Sequence, residues 1–582
     1  MLGPISQARE ELSALITAAM KKAMQTGALP EAEALPNFVV ERPADTSHGD
    51  FATNAAMAGA RAFRRAPAQI AKAIVDNLEL EGTAFNKAEI AGPGFINFFV
   101  DEKWFAGVVS RVLAEGKDYG RTDYGKNEKV MVEFVSANPT GPMHMGNARG
   151  GAIGDGLAAA LDWAGYDVSR EFYINDAGNQ IAKFGNSLEA RYLQHFKGEE
   201  EVPFPEDGYH GADITAHAEN YIAENGDKLL NVDGEERRQA LVDYALPKNI
   251  AKMKSDLGLY RINFDVWYHE SELHNSGAVQ ACVDELTERG LTYEKDGAVW
   301  YKNAEVTAER LRKQGKSEKQ IEALELKDDV LIRANGFPTY FAADIAYHRN
   351  KFVDRGFSKV INIWGADHHG HVARLQGAMD AIGVGGDRLD IVLMQLVRLT
   401  RGGEPVRMSK RTGNAITLTD LLEEIPIDAA RFFFNMREPG SALDFDLDLA
   451  VSQTSENPVY YVQYAHARIC SILKNLAAEG ISLDAASSDE LLLLSDPNEV
   501  ELIRELAAFP EEIVMAAKNY DPARVTHYAV ELANRFHRFY NACRVKVEDE
   551  ALMRARVTLC LAVKQTLKNV LEMLSIESPE TM

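Results

Sequence analysis

The stretch Glu133-Phe-Val-Ser-Ala-Asn-Pro-Thr-Gly-Pro-Met-His-Met-Gly-Asn147, continuing as Ala148-Arg-Gly-Gly-Ala-Ile-Gly-Asp155, carries a strand, a turn and a helix start in succession. Val130 to Val135 is apolar enough for a short buried strand. Pro139, Gly141 and Pro142 end it. A helix of small residues follows, from near His144 to about Ala164. Helix N-termini present unpaired backbone N–H groups and a partial positive charge, so this one suits phosphate. Gly146, Gly150, Gly151 and Gly154 let a ligand or a sheet come close to the backbone. The stretch predicts a nucleotide site.

Outward from it, residues from about 120 to 450 alternate strand-like and helix-like segments, which predicts a mostly parallel sheet. Ser169–Asp176 reads as a second strand. Ligands in open α/β sheets sit at the carboxyl ends of strands, so Asn175 and Asp176 are expected at the crevice. Residues 187–260 are helical and charged and read as an insertion. Ala304–Leu324 reads as a surface helix with a solvated face. After the turn Gly336–Pro338, a helix beginning near Thr339 sets Tyr340 and Asp344 on one face. That pair suits a cationic ligand; equally, the acid suits the helix dipole. Val360–Trp364 is a strand leading into Gly365-Ala-Asp-His-His-Gly-His371. Three histidines and an aspartate raise metal binding. A strand end opening a helix is also nucleotide-crevice geometry, and with no second ligand cluster no metal site is expected. Ile391–Leu399 reads as a further strand. The turn Thr400–Pro405 then leads into Val406-Arg-Met-Ser-Lys-Arg-Thr-Gly-Asn414. Lys410 and Arg411 on this Gly-flanked loop suit a phosphate clamp or a basic surface.

The flanks differ from this centre. Residues 1 to about 110 read as a small α+β unit, with helices at Ile5–Thr26 and Ile70–Asn77 and strands at Asn37–Glu41 and Phe95–Val100. Ser47-His-Gly-Asp50 reads as a turn and helix cap. From about 451 onward the pattern is all-helical. Val525, Tyr528, Leu532, Phe536, Phe539 and Cys543 form one apolar face, with Arg535, Arg538 and Arg544 on the same helix. Asn457–Arg468 is rich in tyrosine; Tyr460 and Tyr464, one turn apart, suit either a core or the stacking of unpaired bases.

Composition bounds the function. A chain of 582 residues holds about three domains. Cys282, Cys470, Cys543 and Cys560 are scattered without a CxxC pair, which argues against a disulfide framework and a cysteine zinc site. The start, MLGPISQAREELSALI, reads as an amphipathic helix and no membrane-length apolar run is present, so a cytoplasmic protein is expected. The net charge of −24 disfavours a non-specific nucleic-acid binder. Lys518–Lys568 nevertheless holds ten Lys/Arg against five Asp/Glu, a local basic patch.

His144-Met-Gly-Asn147 after one strand and Arg407-Met-Ser-Lys410 after a late one resemble the HIGH and KMSK motifs of class I aminoacyl-tRNA synthetases. Val132–Asp155, Tyr173–Gln180, Val330–Tyr347, Trp364–Gly370, Arg407–Asn414 and Asp444–Arg468 resemble the arginyl-tRNA synthetases, as does the N-terminal unit with Ser47–Asp50 and Gly92–Asn97. Asn147 departs from the motif's second histidine and cannot carry a charge; Arg407 replaces lysine and keeps it. The resemblance implies an α/β Rossmann-like parallel-sheet catalytic domain at 116–450, with insertions at about 187–260 and 304–324. It adds an N-terminal α+β domain at 1–115 that contacts tRNA and an α-helical anticodon-binding bundle at 451–582. It implies a monomer that joins arginine to tRNA(Arg) using ATP with Mg²⁺. By resemblance, His144, Asn147, Arg407 and Lys410 are catalytic. Pro142, His144, Gly146, Asn147, Gly365, Asp367, His368, Met408, Ser409 and Lys410 bind ATP. Glu133, Ser136, Asn138, Tyr340 and Asp344 bind arginine. Tyr460, Tyr464, Arg468, Arg535, Arg538 and Arg544 contact tRNA. A cysteinyl-type relative would want thiolate zinc, for which these cysteines are too few and too far apart.

Overall fold

The computed structural model describes residues 2–406 and 416–582. Near the N-terminus, β1 (Val40–Glu41), β2 (Phe51–Thr53), β3 (Phe85–Ala91) and β4 (Phe95–Val100) form an antiparallel sheet in the order β1-β2-β4-β3. Phe51, Phe85 and Phe98 are buried on it with edge-to-face rings at 5.6 and 6.1 Å, a favoured aromatic geometry. The helix Pro4–Gln25 buries Ile5, Leu12, Ile16 and Met20 nearby. The cap beside Ser47 is Asp45, which accepts the Ser47 N–H at 2.9 Å. Asp50 does something the sequence reading missed: its carboxylate takes the Val100 N–H at 3.0 Å and Arg504 Nε at 2.9 Å, joining this unit to the C-terminal helices.

The middle of the chain is built on a five-stranded parallel sheet. The sheet comprises β5 (Lys129–Glu133), β6 (Asp167–Ile174), β7 (Val266–His269) and two later strands. Between these groups, β8 (Thr292–Lys295), β9 (Ala298–Tyr301) and β10 (Asp329–Ile332) make a separate antiparallel sheet. The later two are β11 (Lys359–Gly365) and β12 (Leu389–Met394), giving the order β12-β11-β5-β6-β7. Val130, Met131 and Val132 are buried because helices cover both faces. The chain winds outward from β5 through β6 to β7, then restarts at β11 on the other side of β5. A crevice opens at such a switch point, beyond the strand carboxyl ends. The ends in question are Glu133 and Gly365.

The expected strand Ile391–Leu399 is two strands. β12 ends at Met394, and β13 (Val397–Arg401) joins β14 (Glu404–Val406) and β15 (Leu443–Asp446) in another sheet. The break has a physical cause. Arg149, fully buried in the helix Met145–Trp163, donates to the carbonyl of Gln395 at 2.7 Å and to that of Ser441 at 2.8 Å. Burial lowers its pKa to about 10, still cationic at neutral pH. The same helix lies so close to the sheet that a Cβ on Gly154 would come within 2.1 Å of the Phe134 ring.

Three helices, Gly178–Lys197, Ala212–Asn225 and Gly234–Leu259, surround a small core of Phe184, Leu188, Tyr192 and Leu241. Ala304–Leu324 departs from the expected solvated helix. It is two short helices, Asn303–Lys313 and Glu318–Glu322. Arg310 is buried and bonds Asp380 and Asp387 at 2.6 Å each; a charge this deep needs such partners. The C-terminal helices Pro458–Ala478, Pro497–Asn519, Ala523–Ala542 and Glu550–Met573 bury the expected face, Val525 through Phe539, with Cys543 also buried. Among the described residues, no helix is long and apolar enough to cross a membrane.

Candidate active site

The helix Met145–Trp163 begins at the switch point with His144 as its cap residue. Asn147 turns its side-chain oxygen back to the His144 N–H at 3.0 Å. This is a capping-box contact that satisfies one orphan donor of the first turn. The residue that departs from the motif thus has its side-chain oxygen engaged by its own helix start. Met145 N–H bonds the carbonyl of Ile416 at 3.1 Å, and Leu418 N–H bonds that of Met143 at 2.9 Å.

A cleft of about 580 Å³ opens over this helix start, lined by His144, Met145, Gly146, Gly365, Met394 to Leu399, Pro405, Val406 and Ile416. Arg407, Met408, Ser409 and Lys410 lie outside the described residues, but the residues flanking that segment, Val406 and Ile416, both line the cleft. Pro142 is exposed and outside the lining. So is Asp367, whose side chain is 82 % exposed.

A second cleft, of about 300 Å³, shares Gly365 with the first. Its walls include Glu133, Val135, Ser136, Tyr173, Asn175, Asp344, Tyr347, Asn362, His368 and His371. Three of the five residues expected at arginine line it: Glu133, Ser136 and Asp344. Asn138 is exposed and outside the lining. Tyr340 is also exposed, with its ring beside Gly178; further along the same helix Tyr347 supplies the wall. Asp176 is turned away from the cleft, its carboxylate occupied by His269 and Ser271 at 2.8 Å.

Several polar groups in and around these walls are paired. Asp344 Oδ2 lies 3.0 Å from His371 Nε2. Burial holds the pKa of His348 well below the usual imidazole range, so the ring is neutral. Its Nδ1 then donates to the Asp344 carbonyl at 2.8 Å, and its Nε2 accepts from Asn362 at 2.7 Å. Glu270, almost wholly buried beside Tyr173 and Asn175, has its pKa raised by burial and meets His274 at 3.2 Å. Arg149, Glu270 and His348 carried no periodic or motif signal in the sequence. Arg149 meets carbonyls far along the chain, whereas Glu270 meets His274 one turn on and His348 bridges the Asp344 carbonyl and Asn362.

Three family profiles match the chain: an arginyl-tRNA synthetase N-terminal domain at residues 10–100, a class I (R) tRNA synthetase catalytic domain at 108–455, and a DALR anticodon-binding domain at 462–582. The arginine–tRNA ligase of Caldanaerobacter subterraneus is 55% identical over 99% of both chains. The chain belongs to the arginyl-tRNA synthetase family. The arginine–tRNA ligase of Acetivibrio thermocellus is 53% identical over the whole of both chains. The Thermus thermophilus arginyl-tRNA synthetase structure shares the fold, with a TM-score of 0.71 at 22% identity over 99% of this chain and 100% of that one.

The C-terminal helices of this arginyl-tRNA synthetase family member hold a third cleft, of about 390 Å³, lined by Gln453, Tyr460, Tyr461, Tyr464, Arg468, His537 and Asn541 among others. Tyr460 and Tyr464 are parallel, 6° apart at 6.4 Å. Arg468 lies over Tyr464 and Tyr540 at 5.3 and 4.6 Å. Burial, with Arg468 nearby, lowers the pKa of His537 to about 4, so it is neutral. These tyrosines face a cleft rather than a core. Arg538 and Arg544 are exposed. Arg535 differs from expectation: it bonds Glu501 at 3.1 Å and Glu531 at 2.6 Å, an internal support.

Proposed function

We propose that this chain activates L-arginine with ATP to arginyl-adenylate and pyrophosphate, then passes the arginyl group to the 3′ end of tRNA(Arg), releasing AMP. The observation that carries this is the meeting of two clefts at Gly365, one holding Asp344 and the other at a helix N-terminus. In the first step a carboxylate oxygen of arginine attacks the α-phosphorus and the pyrophosphate bond breaks. Such a displacement needs in-line positioning and charge stabilisation more than covalent catalysis. Asp344 takes the guanidinium, since a carboxylate meets it through two parallel N–H bonds. Ser136 lines the same cleft. His144 and the N–H groups of the helix start take the phosphates. Arg407 and Lys410 neutralise the charge that develops on them. Mg²⁺ arrives with ATP, held mainly by phosphate oxygens; among the described residues no group of three or more His, Cys, Asp or Glu could hold a metal. A monomer is expected from the family resemblance alone, and the tRNA substrate suits a cytoplasmic enzyme.

The test is pyrophosphate exchange with each amino acid, with and without tRNA. Exchange with arginine that depends on tRNA is expected; exchange with another amino acid sinks the reading. Lys410→Ala lowers kcat by about 100-fold, with the ATP KM little changed, as for a donor aimed at transition-state charge. A pure rise in KM would instead mean that the loop binds ground-state ATP.

The aromatic cleft is assigned to unpaired tRNA bases, with Arg468, Arg538 and Arg544 near the phosphates. Stacking on one aromatic is worth about 1–3 kcal/mol per base, so Tyr464→Ala raises the KM for tRNA by about 10-fold or more. The arginine and ATP constants stay at wild-type values. Steady-state aminoacylation with varied tRNA separates the two.

A further inference from the structure

Lys351 is fully buried, yet lysine is among the residues least often found there without a partner. It sits on the widened π-type turn Asn350–Asp354 that extends the helix Tyr340–Arg349. Tyr347, Lys351 and Arg355 follow at four-residue spacing. They meet two buried carboxylates, Glu133 and Glu171, which are directly paired neighbours on β5 and β6. Two like charges side by side in a sheet destabilise it. Here each has its own cation. Lys351 bonds Glu133, and Arg355 bonds Glu171 at 2.8 Å, with the Tyr347 hydroxyl also donating to Glu171. Lys351 Nζ also lies 4.1 Å from the Tyr347 ring centroid and 3.3 Å from Asn362 Oδ1.

Stability alone does not explain such a pair, because apolar residues of the same volume often replace a buried ion pair without loss. The other oxygen of Glu133 gives the explanation. Glu133 Oε1 accepts the Ser136 hydroxyl at 3.0 Å, and Ser136 Oγ accepts the Tyr173 N–H at 3.1 Å. Between them the chain makes a left-handed turn, with Val135 at φ +68° and Ser136 at φ +40°. A β-branched residue rarely adopts that region, and strained backbone persists only where its surroundings over-determine it. Val135 and Ser136 both line the amino-acid cleft.

We propose that Lys351 is a positioning residue for the amino-acid cleft: through Glu133 and Ser136 it holds the left-handed Val135–Ser136 turn that forms one wall. This rests on the reading of that cleft as the arginine site. Glu133, which also lines the cleft, has one internal partner on each carboxylate oxygen, while Asp344 is the more exposed acid there. Lys351 itself touches no substrate.

The experiment uses the full-length chain with tRNA and compares Lys351→Met, Glu133→Met and the double variant in arginine-dependent pyrophosphate exchange. Near-UV circular dichroism checks folding. Misplacing a wall by about 1 Å costs on the order of 100-fold. Each variant is therefore expected to lose about that much kcat/KM for arginine, with the ATP KM within about twofold of wild type. The double variant falls no further than Glu133→Met, since contacting residues in one network are not additive. A merely structural pair gives the opposite result: the double variant, with no buried charge left at either position, regains wild-type kcat/KM for arginine. That result overturns the inference, as does a folded Lys351→Met with unchanged arginine kinetics. If Lys351→Met does not fold, the double variant decides. A wild-type chain without arginine-dependent exchange overturns the function and this inference together; an active wild type with wild-type-like variants overturns this inference alone.

Discussion

Asp344→Ala abolishes arginine-dependent pyrophosphate exchange, with a fall of at least about 10⁴-fold in kcat/KM for arginine, while ATP still binds. Of the two carboxylates that line the amino-acid cleft, Glu133 is bonded to Lys351, whereas Asp344 meets His371 and keeps its side chain 34 % exposed. It is therefore the acid placed to accept the two parallel N–H donors of a guanidinium. Lysine lacks that planar fork, and citrulline lacks its charge. The helix that carries Asp344 is held independently, by the neutral His348 ring between the Asp344 carbonyl and Asn362. The substitution should therefore leave the backbone in place. Equilibrium binding of ATP beside the exchange assay checks both halves. Normal exchange by this variant refutes the assignment, and joint loss of ATP binding would mean that the wall had collapsed.

The second large effect is on stability. Arg431→Met is expected to cost about 3–5 kcal/mol, the usual result of removing one partner from a buried ion pair. Arg431 is fully buried on the helix Ile427–Phe434. Its guanidinium bonds Asp155 in the helix Met145–Trp163, the Leu574 carbonyl just beyond the last helix at 2.6 Å, and the Tyr260 carbonyl at 3.0 Å. One side chain thus ties the helix Met145–Trp163 to the C-terminal helices and to the end of the helical block 178–259. Asp155 keeps only Arg170, at 3.0 Å, when it is gone. Arg431→Lys does not restore the loss, because a point charge cannot reach three separated acceptors. The urea midpoint measures the effect. In the same variant, tRNA-dependent exchange should fall more than ATP binding, since the link to the C-terminal helices, which match an anticodon-binding domain, is cut. A midpoint equal to wild type would show that the three bonds carry no net stability.

Much of the fold was legible because it is written in local chemistry. Apolar runs such as Val130–Val132, the breakers Pro139–Pro142 and the small-residue helix after His144 each specify conformation over a few residues. The periodic face Val525–Phe539 did the same for the last domain. The failures share one cause. Ile391–Leu399 looks like one strand because nothing nearby interrupts it; the interruption is Arg149, more than two hundred residues earlier. Ala304–Leu324 looks solvated because its charges are dense, yet Arg310 finds Asp380 and Asp387 only in the folded chain. Tyr340 shares a face with Asp344, but the packing gives the cleft wall to Tyr347.

The sequence by itself determined the order of strand, turn and helix around His144, the three-part organisation and, through its two motifs, the family. Those are properties of neighbouring residues, set by backbone sterics, side-chain periodicity and helix-end electrostatics. Only the tertiary structure decided which internal partners the polar side chains take. Glu133, Asn147 and Arg535 all read as site residues, and each is engaged by Lys351, the His144 backbone, or Glu501 and Glu531. A buried polar group must find its partner wherever the fold brings one, and no local pattern records that distance.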